Sequence, residues 1–169
     1  KRNDVFFAIK GKNKDGNLFV KEAFNNGASL AVVSSLKKDA KKIKTKDTLK
    51  FLTKASSLFR ENIPCKIIGI TGSCGKTSLK ELIGRTLNKI SKATYSPKSF
   101  NNKFGVPLSL FNLSEKDNYG VLEIGMDKKG EIENLSNIIK PDVAVITNIS
   151  YAHIKNFKNI KQIALAKSE

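Results

Sequence analysis

One short stretch of the sequence has the residue types and spacing of a phosphate-binding loop. It consists of Gly72, Ser73, Cys74, Gly75, Lys76, Thr77 and Ser78. The two glycines can adopt backbone angles that a β-carbon would forbid, so we expect the loop amides to point inward at one anion. The Lys76 ammonium would add a cation beside the phosphates of a nucleotide, and the Thr77 hydroxyl would ligate Mg²⁺.

The loop departs from the strict pattern G-x-x-x-x-G-K-[ST], because Ile70 stands where that pattern has its first Gly. A Gly/Ser turn that happens to precede a lysine is therefore an alternative interpretation. An apolar run over 67–70 precedes the loop, and a helical pattern follows it from about Thr77. This order favours phosphate binding, since the helix would add the positive end of its dipole.

Three further polar residues could contribute to the same site. Glu123 ends an otherwise apolar run, where a carboxylate is costly to bury unless a cation pairs with it. Mg²⁺ bound to phosphate would be such a cation, and a salt bridge to a lysine is the alternative. His153 is the only histidine and follows the apolar run 143–146. Lys167 is flanked by small residues, and a shielded lysine can have a lowered pKa, although composition alone would not single it out.

Apolar runs alternate with helical patterns along the chain. The predicted strands cover residues 4–9, 30–33, 67–70, 93–95, 119–125 and 143–146, the last of them buried. The predicted helices cover residues 17–26, 48–62, 77–90, 131–139 and 160–169, with another beginning at Pro107. Residues 34–47 have no strong pattern, and a connecting loop and a strand with a turn are both compatible with them. Alternation of this kind predicts an α/β fold with a mostly parallel sheet, whose ligands bind at the carboxyl ends of the strands.

The chain divides near residue 62 on this interpretation, because Pro64 stops the helix predicted over 48–62. Residues 1–62 would form a partial N-terminal α/β domain and a linker helix. Residues 63–169 would form an incomplete central domain. The sequence lacks an initiator Met and ends inside a helical pattern, so we expect it to be a piece of a longer protein.

The composition is strongly basic, with 31 Lys and Arg against 15 Asp and Glu and a formal net charge of +16. Such a charge raises nucleic-acid binding as an alternative function. Almost all of it comes from lysine, however, whereas base recognition favours arginine and stacked aromatic rings. A solvated lysine-rich surface, attractive to anionic substrates, is the preferred interpretation.

Cysteine use and hydropathy suggest where the protein acts. Cys65 and Cys74 have no metal-ligand spacing, and two cysteines in a chain of this size fit a reducing cytoplasm. No apolar run approaches the length of a membrane span, and the first residues are not a signal peptide. A cytoplasmic location is therefore expected.

Several motifs, in this order, resemble those of the Mur ligase family. The loop 72–78 resembles the ATP loop of the family, including its departure from the strict pattern. The segments that resemble its later motifs are 101–108, 123–126, 130–132, 147–153 and 164–169. Upstream, residues 5–11 and 15–16 are similar to the UDP-binding domain of one branch. Asn17 and Ser168 depart from the family pattern, which often has His and Gly there.

The resemblance implies roles for individual residues. Lys76 and the loop amides would hold ATP, and Thr77, Glu123 and His153 would lie at Mg²⁺ sites. Lys167 falls where the family has a lysine that CO₂ carbamylates, which would make it a further metal ligand. The implied catalytic residues are Lys76, His153 and Lys167. The implied substrate-binding residues are Lys10, Asp15, Asn101 and Asn102.

The resemblance also implies a reaction of peptidoglycan synthesis. ATP would phosphorylate the terminal carboxylate of UDP-N-acetylmuramoyl-tripeptide, and the amine of D-alanyl-D-alanine would attack the acyl phosphate. The enzyme would be a monomer that binds no nucleic acid, and this piece alone would be inactive. A MurE-like or folylpolyglutamate synthetase-like ligase is the alternative within the same superfamily.

Overall fold

The computed structural model of the chain describes residues 3–37, 39–151 and 156–169. The chain forms two compact units, Lys1–Ala55 and Ser56–Glu169. The division falls inside a long helix, Thr48–Asn62, whereas the sequence interpretation put the boundary at the end of that helix. Among the described residues, no helix has the length and hydrophobicity that crossing a membrane requires.

The first unit is a small parallel sheet with one short helix. Its elements are β1 (Val5–Phe7), a 3₁₀ turn (Gly16–Phe19), α1 (Val20–Asn25), β2 (Leu30–Val33) and β3 (Lys42–Lys44). The strands pair in the order β1-β2-β3, all parallel. The helix predicted over 17–26 is confirmed only from Val20, because the Asp15 side chain caps a 3₁₀ turn ahead of it.

The helix α2 (Thr48–Asn62) leads into the second unit, which contains the larger sheet. The further elements are β4 (Lys66–Thr71), α3 (Lys76–Leu87), β5 (Ala93–Tyr95), α4 (Gly105–Leu110), β6 (Tyr119–Glu123), α5 (Glu131–Ile139), β7 (Val143–Ile146) and α6 (Ile160–Lys167). Strands of this sheet pair in the order β5-β6-β4-β7, and every pair is parallel. The predicted α/β class with a parallel sheet is confirmed.

The core of the second unit lies between its strands and the helices α4, α5 and α6. Fully buried Ile67 of β4 and Leu122 of β6 share one apolar cluster with Leu110, Ile139 and Ile163 of the three helices. These contacts fix β4 and β6 at the centre of the unit. The carboxyl ends of both strands therefore meet at the same edge of the sheet.

Strand β7 is where the sequence prediction was partly wrong. The strand lies where it was predicted, but it is not buried. Val143 is 51% exposed and Ile146 is 42% exposed. Within the described part of the chain β7 pairs with β4 on one side alone. The apolar run correctly indicated a strand but not its place in the sheet.

Candidate phosphate and metal site

The loop between β4 and α3 has the backbone of a phosphate-binding turn. Gly72 has a φ of 143° and Gly75 a φ of 78°, conformations that L-residues rarely adopt. A β-carbon on Gly72 would lie 1.9 Å from Thr147 Oγ1, whereas a β-carbon on Gly75 would meet no atom within 4 Å. Glycine at 72 thus permits the close approach to Thr147, and glycine at 75 favours the left-handed turn into the helix.

Positive charge and free donors converge on this loop. The Lys76 ammonium donates to the carbonyl oxygen of Gly72 at 2.7 Å and to that of Ser73 at 3.4 Å, so it lies against the loop. α3 begins at Lys76, and the amides of its first turn have no acceptor within the helix. Thr71 Oγ1, on the residue before the loop, is a buried polar atom without a described hydrogen-bond partner. An anionic ligand fits these features.

The segment that follows β7 already occupies part of the loop. The amide of Ser73 donates to the Asn148 carbonyl oxygen at 3.0 Å, and the amide of Cys74 donates to Asn148 Oδ1 at 2.9 Å. Thr147 Oγ1 donates to the Cys74 carbonyl oxygen at 2.6 Å, and the amide of Ser150 donates to Ser73 Oγ at 2.9 Å. The expectation that all loop amides face one anion therefore does not hold for Ser73 and Cys74.

The carboxylate of Glu123 lies directly beside the loop. Thr77 Oγ1 donates to Glu123 Oε2 at 2.7 Å, and Asn101 Nδ2 donates to Glu123 Oε1 at 2.7 Å. Glu123 is only 1% exposed, and none of the ion pairs among the described residues involves it. The alternative of a lysine salt bridge thus finds no support in the described structure. A buried carboxylate and a hydroxyl at this distance suit a hard divalent cation.

Lys167 is the second buried charge that the sequence singled out. Its side chain is 3% exposed and has no hydrogen bond or ion pair with the described residues. The pKa of Lys167 is lowered to about 8, mainly by burial and also by the positive charge of Lys76, while Cys74 opposes the shift. Two residues on, the Glu169 carboxylate accepts a hydrogen bond from the Gly130 amide at 3.0 Å, which holds the end of α6 against the start of α5.

The two asparagines proposed for substrate binding have different surroundings. Asn101 belongs to the site through its bond to Glu123, and its carbonyl oxygen accepts from the Gly125 amide at 2.7 Å. Asn102 Oδ1 accepts from the amides of Phe104 and Gly105 at 3.0 Å each. The Asn102 oxygen is therefore engaged at the start of α4.

Lys10 and Asp15 lie in the first unit, where they form an isolated antiparallel bridge pair. Asp15 Oδ1 accepts from the Asn17 side chain at 2.6 Å and from the Asn17 amide at 2.9 Å, and these bonds lower the pKa of Asp15. Asn17 also bonds to Ser34 at 3.1 Å. Asn17, at the position where the family often has His, is thus a buried residue whose hydrogen bonds hold this turn together.

His153, which the sequence predicted as a metal ligand, lies outside the described residues. Lys80, which the sequence did not single out, is completely buried and donates to the carbonyl oxygens of Ser96 and Lys98 at 2.7 Å and 2.6 Å. Its position four residues after Lys76, on the same face of α3, was the available signal. Among the described residues no group of three or more His, Cys, Asp or Glu forms a metal cluster.

Comparison with protein families identifies the architecture around this loop. A model of the Mur ligase middle domain matches residues 70–169. The chain belongs to the Mur ligase family. That match includes the loop, Glu123 and Lys167, and so covers the residues that the structure brings together in the second unit.

Individual Mur ligases match the chain over nearly its whole length. The UDP-N-acetylmuramoyl-tripeptide–D-alanyl-D-alanine ligase of Rickettsia prowazekii (strain Madrid E) is 37% identical over 172 residues, covering 100% of this chain and 38% of the relative. A crystal structure of MurF from Acinetobacter baumannii has a TM-score of 0.88 at 35% identity, over 99% of this chain and 38% of that one. The MurF ligase of Thermotoga maritima in complex with ADP has a TM-score of 0.85 at 32% identity, over 99% and 39%. The chain spans less than two fifths of each.

Proposed function

We propose that the complete protein containing this chain is an ATP-dependent ligase that joins D-alanyl-D-alanine to UDP-N-acetylmuramoyl-tripeptide. The observation that carries the proposal is the hydrogen bond from Thr77 in the phosphate loop to the buried carboxylate of Glu123. It would join the phosphate-binding element to a ligand of the metal. The choice of substrates rests on the names of the relatives, which match the chain over nearly its full length.

ATP is assigned to the loop between β4 and α3. The amides at the start of α3 and the Lys76 ammonium would hold the β- and γ-phosphates. The solved relative from Thermotoga maritima is a complex with ADP, which supports adenine-nucleotide binding by this chain. Amides of Ser73 and Cys74 would contribute only if the nucleotide displaced Asn148.

The oxygen donors beside the loop suit Mg²⁺. Thr77 and Glu123 would hold it together with His153, which lies outside the described residues. A bound Mg²⁺ would neutralise phosphate charge and orient the γ-phosphate for attack. Lys167 would join as a carbamate, formed when its neutral amine attacks CO₂ and releases a proton. Its lowered pKa supports this, since a pKa of about 8 leaves roughly a tenth of the amine neutral at pH 7.

The reaction would proceed by two displacements. The terminal carboxylate of the tripeptide attacks the γ-phosphorus, which gives an acyl phosphate and ADP. The amine of D-alanyl-D-alanine then attacks the acyl carbon, phosphate leaves, and the amine loses a proton. Lys76 would offset negative charge on the transferred phosphoryl group, and Asn101 would hold Glu123 in place. In the first unit, Lys10 and Asp15 would contact the UDP-linked substrate.

The test is phosphate release by the complete protein. With ATP, UDP-N-acetylmuramoyl-tripeptide and D-alanyl-D-alanine together, we expect steady release, and omission of any one should abolish it. Lys76→Met should also abolish it, whereas Lys89→Met, at an exposed lysine just after α3, should not. Steady release without the dipeptide or without the tripeptide would overturn the proposal. The isolated 169 residues should show no turnover.

A further inference from the structure

Lys80 is a completely buried lysine that no step of the proposed mechanism uses. It lies on α3, three residues after Thr77, and its side chain is 0% exposed. An ammonium has three protons to donate, and three acceptors surround this one. They are the carbonyl oxygen of Ser96 at 2.7 Å, that of Lys98 at 2.6 Å and Glu81 Oε1 at 3.2 Å. Complete satisfaction offsets a burial that otherwise costs several kcal/mol.

The segment that Lys80 binds, residues 96–101, contacts both proposed metal ligands. Ser96 Oγ accepts from the Glu123 amide at 3.2 Å, and Asn101 Nδ2 donates to Glu123 Oε1 at 2.7 Å. Ser99 Oγ lies 3.4 Å from Thr77 Oγ1. The 96–101 segment therefore touches the hydroxyl on α3 and the carboxylate on β6 at the same time.

The backbone of the 96–101 segment includes one unfavourable conformation, which the contacts of Lys80 help to hold. Lys98 has a φ of 48°, a left-handed conformation that is unfavourable for a residue with a β-carbon. An apolar side chain in place of Lys80 would leave the carbonyl oxygens of Ser96 and Lys98 without these donors. The helix α3 lies close to β5, since a β-carbon on Gly84 would lie 2.3 Å from the Tyr95 ring. This close approach fixes the distance between Lys80 on α3 and the 96–101 segment that follows β5.

We propose that Lys80 is a positioning residue for the metal–nucleotide site. Its ammonium fixes the 96–101 segment, and that segment holds Thr77 and Glu123 at the separation that a divalent cation needs. Lys80 itself touches neither the two ligands nor, on the proposed function, the nucleotide. The inference rests on the proposed function, since it requires Mg²⁺ to bind with the nucleotide at this loop.

The experiment is calorimetric titration of the complete protein with ADP, once with excess Mg²⁺ and once with a chelator. The ratio of the two affinities measures the contribution of the metal. Lys80→Met keeps the length of the side chain and removes the charge. It should reduce this ratio roughly tenfold while changing the affinity in chelator by less than about twofold. Lys89→Met should leave both affinities unchanged.

Each outcome decides for or against the inference. An unchanged ratio in Lys80→Met would overturn it, as would an equal loss of affinity in both conditions, which a merely structural role would give. If Lys80→Met does not fold, Ser96→Ala and Ser99→Ala test the segment instead, and an unchanged ratio in both would also overturn it. A wild-type protein that binds ADP equally well with and without Mg²⁺ would overturn the proposed metal site itself, and the role of Lys80 with it.

Discussion

Thr77 Oγ1 and Glu123 Oε2 are 2.7 Å apart although 46 residues separate them in the sequence. The sheet explains this proximity. β4 and β6 are parallel neighbours, with Ile70 paired to Glu123, so the loop that follows β4 begins beside the last residue of β6. The backbone register of the two strands thus brings a hydroxyl and a carboxylate within hydrogen-bond distance of each other.

Removal of the Glu123 charge should abolish the contribution of Mg²⁺ to nucleotide binding. Glu123→Gln keeps the size of the side chain and can still accept from Thr77, but it lacks the charge that attracts a cation. We expect the ADP affinity measured with Mg²⁺ to fall by roughly tenfold or more, with little change in chelator. Glu115→Gln, at an exposed carboxylate, is the control. An equal Mg²⁺ effect in both variants would contradict the assignment of Glu123.

The two loop glycines should differ in their tolerance of alanine. In Gly72→Ala the new β-carbon would lie 1.9 Å from Thr147 Oγ1 and 3.0 Å from the Thr147 amide nitrogen. We expect the free energy of unfolding to fall by about 3 kcal/mol or more. Gly75→Ala meets open space and should cost only about 1 kcal/mol, for its left-handed backbone. Urea unfolding of the two variants measures the difference, and equal losses would refute the steric account.

Arg60 should be important for stability. Its guanidinium donates to the carbonyl oxygens of Ile139 at 2.7 Å and Lys140 at 3.1 Å, and to Asp142 Oδ2 at 3.2 Å. Arg60→Met leaves the carbonyl groups at the end of α5 without these donors and should lower the unfolding free energy by about 2–4 kcal/mol.

Arg85 provides the matched control for this substitution. Among the described residues it pairs with Glu81, one helical turn away, at 3.4 Å, and its side chain is 73% exposed. Arg85→Met should therefore change the unfolding free energy by less than about 0.5 kcal/mol in the same urea titration. A similar loss in both variants would mean that the contacts of Arg60 contribute no more than an ordinary surface pair.

Much of the site was predictable because local and global signals agree there. The apolar run 67–70, the glycines and the following helix predicted the loop, and the parallel sheet then had to bring Glu123 to it. Contacts that depend on tertiary structure were not predictable. No pattern in the sequence indicates that Asn148 binds the amide of Cys74, or that Asn102 bonds at the start of α4.

Helix α3 illustrates the limit of a hydrophobic pattern. Leu82 is 63% exposed while Lys80 is completely buried, which is the reverse of what hydrophobicity predicts. The buried face of α3 carries Gly84 and Lys80 because β5 approaches closely and the carbonyl oxygens of the 96–101 segment need donors. Strand β3 could not be resolved within residues 34–47 from the sequence for a related reason. It is a short edge strand with lysine at both ends, and its pairing with β2 alone defines it.

The two cysteines should report on nucleotide binding. Cys74 is exposed in the loop, whereas Cys65 is buried and burial raises the pKa of its thiol. Iodoacetamide should therefore label Cys74 in the folded protein and leave Cys65 unlabelled. ADP with Mg²⁺ should slow the labelling of Cys74 by about fivefold or more through direct cover of the loop. Peptide mass spectrometry measures both sites, and an unchanged rate at Cys74 would place the nucleotide elsewhere.

Lys167 should react as an amine of unusually low basicity. Its pKa is lowered from 10.5 to about 8 by burial and by the charge of Lys76, so its reactive neutral form should be half populated near pH 8. Competitive acetylation across a pH series, in bicarbonate-free buffer, should give that midpoint for Lys167. Because Lys76 contributes to the shift, Lys76→Met should raise the midpoint, and a bound nucleotide should raise it further by adding negative charge. A midpoint near 10.5 in the free protein would mean that Lys167 is solvated, and the case for its carbamylation would then lose its physical basis.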